Sequence, residues 1–357
     1  MEQIGIFYYK SQYKHKTPRK HPESSKRVKK IVKELKKSFK DRKEIVFKDM
    51  LKADISKVLE VHDNQYVNYI KNFCLKGGGW IDYDTYFTKD SLDVALHSVG
   101  GVLEAYKLIL DRKLLSAFVL TRPPGHHAGK RGVALNADSL GFCMFNNVAI
   151  AAHHLINKEK IKRIVIIDLD SHHGNGTQEI FYNTPSVLYI SFHQNEDFYP
   201  WSGSIKEIGS GDGEGFNINI PLPKYSGNIE YITAFKKIID PVIDSYDPEF
   251  IIVSLGFDAH KDDPYSDLKL TTNGYLTLLY YIKKISDKYC NGRLMLCLEG
   301  GYNIDVLGKI SVKLIELLIN KKRNFNLIKN FKKKKIESRF MRNIEELKKI
   351  LSFYWPV

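Results

Sequence analysis

The strongest constraint on this chain is a repeated switch between two hydrophobic periods. Five short runs of β-branched and aliphatic residues occur at 116–120 (SAFVL), 163–169 (RIVIIDL), 186–192 (SVLYISF), 249–257 (EFIIVSLGF) and 294–298 (LMLCL). They are too short for helices and too uniformly apolar for strands with one wet face, so they read as buried strands. Between them, 91–110, 147–158, 228–244 and 273–289 carry apolar residues at helical spacing. Strand and helix in turn imply an α/β chain with a parallel sheet covered on both faces. No internal repeat or low-complexity linker divides it. A single domain is expected over 1–320, with 321–357 as a basic helical extension packed on it or trailing from it. In such sheets ligands gather at the carboxyl ends of the strands, so polar clusters directly after the apolar runs are where chemistry is sought.

Composition narrows the classes. With 43% hydrophobic residues over 357 positions the chain can bury a full core. No stretch approaches the ~20 apolar residues of a membrane span, and the N-terminus lacks a secretory pattern, so a cytoplasmic protein without a membrane partner is expected. Cys74, Cys143, Cys290 and Cys297 lack CxxC spacing and read as reduced thiols. The net charge of +14 is concentrated at the ends: residues 10–43 carry +12 and 321–349 carry +9, leaving an acidic body at −7. Basic ends suit nucleic acid or an acidic partner. In SSKRVKKIVKELKKSF, however, Val28, Ile31, Val32, Leu35 and Phe39 recur at helical spacing and leave the lysines on a wet face, so a solvated helix is favoured over a nucleic-acid patch.

Four polar clusters follow apolar runs. After RIVIID comes DLDSHHGNG, in which Asp170 and His172 are two apart; on an extended backbone both side chains point the same way and can share an ion. Asp258 closes the run IIVSLGF. Two carboxylates, one imidazole and an open fourth position form the catalytic rather than the structural arrangement for zinc. RPPGHHAG, after SAFVL, presents His126 and His127, a pair suited to taking and giving a proton if their surroundings separate their pKa values. LEGGYN, after LMLCL, places Tyr302 in a glycine-rich turn where a phenol can stabilise an oxyanion. Singly, any of these is an ordinary cap or turn. The adjacent His153 and His154 read as packing or surface residues, and GSGDGEG (209–215) precedes a strand-like run instead of following one, so it fails as a phosphate loop.

Taken in order, RPPGHHAG, GFCMFNN (141–147), DLDSHHGNGTQ, GFDAHKDDP (256–264) and LEGGYN resemble the signature blocks of the histone deacetylase and acetylpolyamine amidohydrolase superfamily. HPESSKR (21–27) is similar to that family's N-terminal motif. The resemblance spans about residues 15–305 and leans to the class II-like, prokaryotic-type branch. It implies the arginase/deacetylase fold, a three-layer α/β/α sandwich with a mostly parallel eight-stranded sheet. It also implies a Zn2+ ion, with Fe2+ or Co2+ as substitutes, on Asp170, His172 and Asp258, whose bound water attacks an acyl amide polarised by Tyr302. Asp168 then orients His126 and Asn175 faces His127. Phe142 and Tyr199 become tunnel walls, Gly141, Cys143 and Gly300 lie by the acyl group, and Asp84 is a rim acid. Structural K+ maps onto Asp168, Asp170, His172, Ser191 and Phe192, and a second onto Phe181, Thr184, Val187 and Tyr231.

The chain departs from its relatives at Asn175, where many carry a second Asp, and at Tyr265, where class II relatives commonly have Leu and the polyamine-selective branch has Glu. Asn is what the class II branch resembles. The expected substrate is an acyl amine, small molecule or peptide, such as acetyl-lysine or acetylpolyamine. The rival readings are a non-catalytic acyl-amine or polyamine binder and a nucleic-acid-associated protein acting through its basic ends. The sequence sets no oligomeric state.

Overall fold

The structure, a computed structural model, describes residues 3–195, 197–320 and 337–357. Eight strands form one sheet: β1 (Ile4–Tyr8), β2 (Ile45–Asp49), β3 (Ser116–Val119), β4 (Ile164–Asp168), β5 (Val187–Gln194), β6 (Asn217–Leu222), β7 (Phe250–Leu255) and β8 (Leu294–Leu298). Their spatial order is β6-β5-β4-β7-β8-β3-β1-β2, and every pairing is parallel. The expected sheet is therefore present and wholly parallel.

Alternation along each strand explains the uniform apolar runs. In β4, Val165 and Ile167 enter one core cluster while Ile164 and Ile166 enter the other, and β7 and β8 divide in the same way. Both faces are covered. Helices Ser91–Leu110 and Asn147–Asn157 pack on one side; Lys26–Phe39, Thr272–Tyr289 and Ile304–Ile319 pack on the other. A strand buried on both faces has no wet face to mark with polar residues.

Helix Lys26–Phe39 buries Val28, Ile31, Leu35 and Phe39 while its lysines, Lys30 among them, face outward; Lys30 pairs with Glu34 and Asp305. A solvated basic face is what the sequence pattern implied. The basic run 321–336 lies outside the described residues. Beyond it, helix Ser338–Leu351 sets Phe340, Ile344, Leu347 and Leu351 into the main core, and Trp355 Nε1 donates to Gly215 O at 2.7 Å.

The stretch read as one helix over 228–244 is instead Asn228–Ala234, a π-turn Phe235–Ile239, and Asp240–Tyr246. Pro241 has no N–H to give and its ring crowds the carbonyl one turn back, so the ladder widens just before it. His154 is buried, with Nε2 3.0 Å from Glu60, as a packing residue would be. The four cysteines are free and buried. Among the described residues no helix is long and apolar enough to cross a membrane.

Candidate active site

Strands β4, β7, β8 and β3 are consecutive in the sheet, and the four polar clusters leave their carboxyl ends side by side. Asp170 and His172 follow β4 and Asp258 follows β7; His172 Nδ1 lies 3.1 Å from Asp170 Oδ1 and 3.1 Å from Asp258 Oδ2. One donor atom from each of the three falls within 4.8 Å of the others. Main-chain N–H groups pin the carboxylates: His172 and Gly300 donate to Asp170 at 3.0 and 2.8 Å, and Ser171 donates to Asp258 at 2.8 Å.

This set fits a divalent cation. Two buried carboxylates crowd one imidazole nitrogen that carries at most one hydrogen, too little positive charge for both. Burial, and then the Asp170 carboxylate, push Asp258 up to about 7. Asp170 is equally buried, yet His126 and His172 hold it well below the ordinary carboxylate range. Burial disfavours charge on His172, but Asp170 and Asp258 raise it to about 9. Like charges held this close need a positive ion between them.

The tandem histidines are buried beside this set. His126 Nδ1 donates to Asp168 Oδ2 at 3.0 Å, and Nε2 faces Asp170 Oδ1 at 3.8 Å. Asn175 Nδ2 donates to Ala134 O at 2.8 Å, which turns its oxygen toward His127 Nδ1, also at 2.8 Å. His127 therefore carries its proton on Nδ1 and directs the Nε2 lone pair into the site. Burial works against charge on His126, but Asp168 and Asp170 bring its pKa up to about 10. Burial, followed by His126 and His172, lowers His127 well below the ordinary value. One ring has a carboxylate partner and the other an amide, and that difference separates them.

Tyr302 stands in the turn after β8, with Asp263 Oδ2 accepting its N–H at 2.6 Å and that of Asn303 at 2.8 Å. Its ring meets Phe142 edge-on at 5.8 Å, Tyr265 at 4.6 Å and the Arg27 guanidinium at 5.1 Å. Gly141 and Phe142 both adopt left-handed backbone, φ 51° and 68°. A side chain at Gly141 would strike the His127 ring and the Tyr199 hydroxyl. Thr85 Oγ1 accepts from Phe142 N at 3.0 Å. Tyr199 stands 5.0 Å from His127 with its ring at 73° to it. Cys143 is fully buried. The Asp84 carboxylate accepts from the Thr85 and Ser139 hydroxyls.

Of the residues of the first potassium set, Asp168 and Ser191 are register partners across β4 and β5. Of the second, Tyr231 stacks on Phe192 at 5.5 Å in one core cluster, whereas Phe181 and Val187 lie in the other, on the opposite face of the sheet.

Several supporting residues escaped the sequence reading. Glu299 Oε2 accepts from Gly125 and His126 N–H at 2.7 and 3.3 Å, tying the tandem-histidine loop to the Tyr302 turn. Arg27 Nε donates to Gly301 O at 2.6 Å, and Nη2 donates to Glu299 O. Glu23 holds Arg122 through two contacts of 2.7 and 3.1 Å and pairs with Arg27 at 3.3 Å, all of them buried. Phe198 stacks on His172 at 4.9 Å. Glu23 and Arg27 stand in HPESSKR, and a glutamate and arginine four apart in an otherwise apolar-facing helix start is the signal that was available.

Comparison with known proteins agrees with this geometry. The sequence matches the histone deacetylase domain over residues 21–318. A probable deacetylase of Archaeoglobus fulgidus is 37% identical, over 98% of this chain and 98% of its own length. Histone deacetylase HDA1 of Candida albicans is 39% identical over 75% of this chain and 32% of its own. The crystal structure of the HDA15 HD domain superposes with a TM-score of 0.86 at 28% identity, covering 99% of this chain and 96% of that one. By sequence and by fold, the chain belongs to the histone deacetylase family of hydrolases.

Proposed function

We propose that the chain is a zinc-dependent deacylase that removes an acetyl or short acyl group from an amine such as acetyl-lysine or an acetylpolyamine. The observation that carries this reading is the convergence, at one sheet edge, of the Asp170–His172–Asp258 donor set, two histidines with fixed tautomers, and Tyr302. A zinc ion held by those three residues would supply Lewis acidity toward the amide carbonyl and bring a water's pKa down to roughly 7.

The chain's own residues do the rest. His127, neutral because its partner is an amide, offers Nε2 as the acceptor for the water's proton. His126, paired with Asp168, keeps a positive charge close to the developing negative one. The protonated histidine pair then gives the leaving amine its proton. Tyr302 donates to the carbonyl oxygen as it becomes an oxyanion, and its backbone, held by Asp263, needs no reorganisation. Phe142 and Tyr199 flank an unbranched acyl-amine stem and exclude water. A pure binder needs neither the histidine pair nor the phenol, which favours the enzyme over the binding reading.

Metal analysis of the purified protein, with a panel of acetyl-lysine peptides, acetylputrescine and acetylspermidine, tests this. One zinc ion per chain and amine release from at least one class are expected. Zinc-loaded protein that turns over none of them, or protein that binds no divalent metal, overturns the proposal.

A further inference from the structure

Next to this centre lies a second group of donors, two of which, Cys143 and Glu299, have no part in the chemistry above. His126, Cys143 and Glu299 are each buried, and one ligand atom from each lies within 4.8 Å of the other two. Their remaining bonds leave one atom of each for a cation to claim. His126 gives Nδ1 to Asp168, so Nε2 is its available atom. Glu299 uses Oε2 for the Gly125 and His126 N–H groups, while Oε1, fully buried, has no hydrogen-bond partner among the described residues. Cys143 supplies a thiol with no exposed surface. A carboxylate oxygen left bare in a protein interior is costly unless a proton or a cation meets it.

The chemistry of the set selects the cation. Sulfur, imidazole nitrogen and a single carboxylate oxygen suit zinc or cadmium and are a poor match for magnesium or calcium, which favour all-oxygen shells. We infer that His126, Cys143 and Glu299 form a second site for a thiophilic divalent cation, sharing no ligand with Asp170, His172 and Asp258. Binding displaces the His126 Nε2 proton and the Cys143 thiol proton to solvent and leaves a neutral imidazole and a thiolate on the ion. Occupation also consumes the His126 lone pair and ties both ends of the clamp between the tandem-histidine loop and the Tyr302 turn. An enzyme that works with one ion is then inhibited by a second, a consequence that rests on the catalytic reading above; the site itself does not.

Cadmium is the probe, because a cadmium–thiolate bond gives an ultraviolet charge-transfer band that carboxylate and imidazole ligands do not. Full-length protein carrying one equivalent of zinc is titrated with cadmium while the band and the bound metal are followed. One further ion and one thiolate band are expected. Cys143→Ser abolishes the band, Cys290→Ser retains it, and Asp258→Ala retains it because that ligand belongs to the first site. Glu299→Gln weakens cadmium binding by at least about tenfold, a loss seen even for groups outside a ligand shell. It keeps the sulfur in place, so it carries the test if Cys143→Ser does not fold. Absence of the band, or a band that survives Cys143→Ser, overturns the site. A band with no loss of deacylase rate at excess zinc overturns the inhibitory role alone.

Discussion

Replacing Gly300 by alanine adds one methyl group at the centre of the proposed zinc site, and the structure gives its consequence. An ideal Cβ at Gly300 stands 2.5 Å from Asp170 Oδ2 and 3.0 Å from Asp258 Cγ, with Asp258 Oδ2 nearer still, where ordinary contacts begin at 3.4 Å. One or both carboxylates must retreat by about 1 Å. Neither moves freely, since Gly300 and His172 N–H groups hold Asp170 and Ser171 N–H holds Asp258. Displacing ligands by about 1 Å is expected to cost ~10–100-fold in metal affinity and ~100-fold in kcat/KM, or about 2.7 kcal/mol of transition-state stabilisation. The assay is zinc affinity by chelator competition, then kcat/KM on an acetyl-lysine substrate at saturating zinc, with a melting curve to confirm the fold. Gly300→Ala protein that keeps both quantities within about twofold of the parent would refute the reasoning, because the methyl group would then have found room the geometry denies it.

Tyr302→Phe is expected to lower kcat by about 10²–10³ with KM and zinc content near the parent values, and an unchanged kcat would remove Tyr302 from the mechanism. Glu23→Ala leaves Arg122 and Arg27 buried without their carboxylate, which costs about 3–5 kcal/mol; with ~2.1 cal/mol/K per residue over 357 residues, calorimetry should show Tm lower by about 4–7 °C. His62 is buried as the neutral ring, with Nδ1 donating to Gly129 O and Nε2 accepting from Asn146 N, and burial lowers its pKa from 6.5 to about 4. The unfolded chain therefore binds the extra proton first, and stability falls by roughly 3 kcal/mol as pH drops from about 6.5 to 4. Denaturant melts across that range should show a flatter slope for His62→Gln than for the parent, and equal slopes would exclude His62 as the cause.

How much of this was legible depended on where the partners lay. The five strands read from the sequence are buried along their whole length, and four of them end in a polar cluster. β1 and β2 were overlooked: IGIFY is five residues at the very start, and IVFKD is an edge strand with a half-wet face and two charged residues. The metal donors were visible because their chemistry is unusual at a strand end and two of them are neighbours in sequence. Their supports were not. Arg27 reaches Gly301 and Glu299 across 274 and 272 residues, and Glu23 reaches Arg122 across 99, separations at which one sequence carries no pairing information.

The glycines give the deepest reason that the motifs were readable at all. Gly174, Gly256 and Gly300 sit in three separate blocks, after β4, after β7 and after β8. A methyl group on any of them would enter a carboxylate of the site: Asp168 for Gly174, Asp170 for Gly256, and Asp258 together with Asp170 for Gly300. The backbone after β7 and after β8 thus passes against an acid from another strand end, the turn after β4 folds back on that strand's own Asp168, and only hydrogen leaves enough space. The carboxylates and the glycines are two halves of one packing arrangement. A motif such as GFD or EGG consequently reports on a contact made elsewhere in the chain as well as on its own turn. It follows that substituting these glycines should impair the metal centre more than the fold, whereas substituting Glu23 should do the reverse.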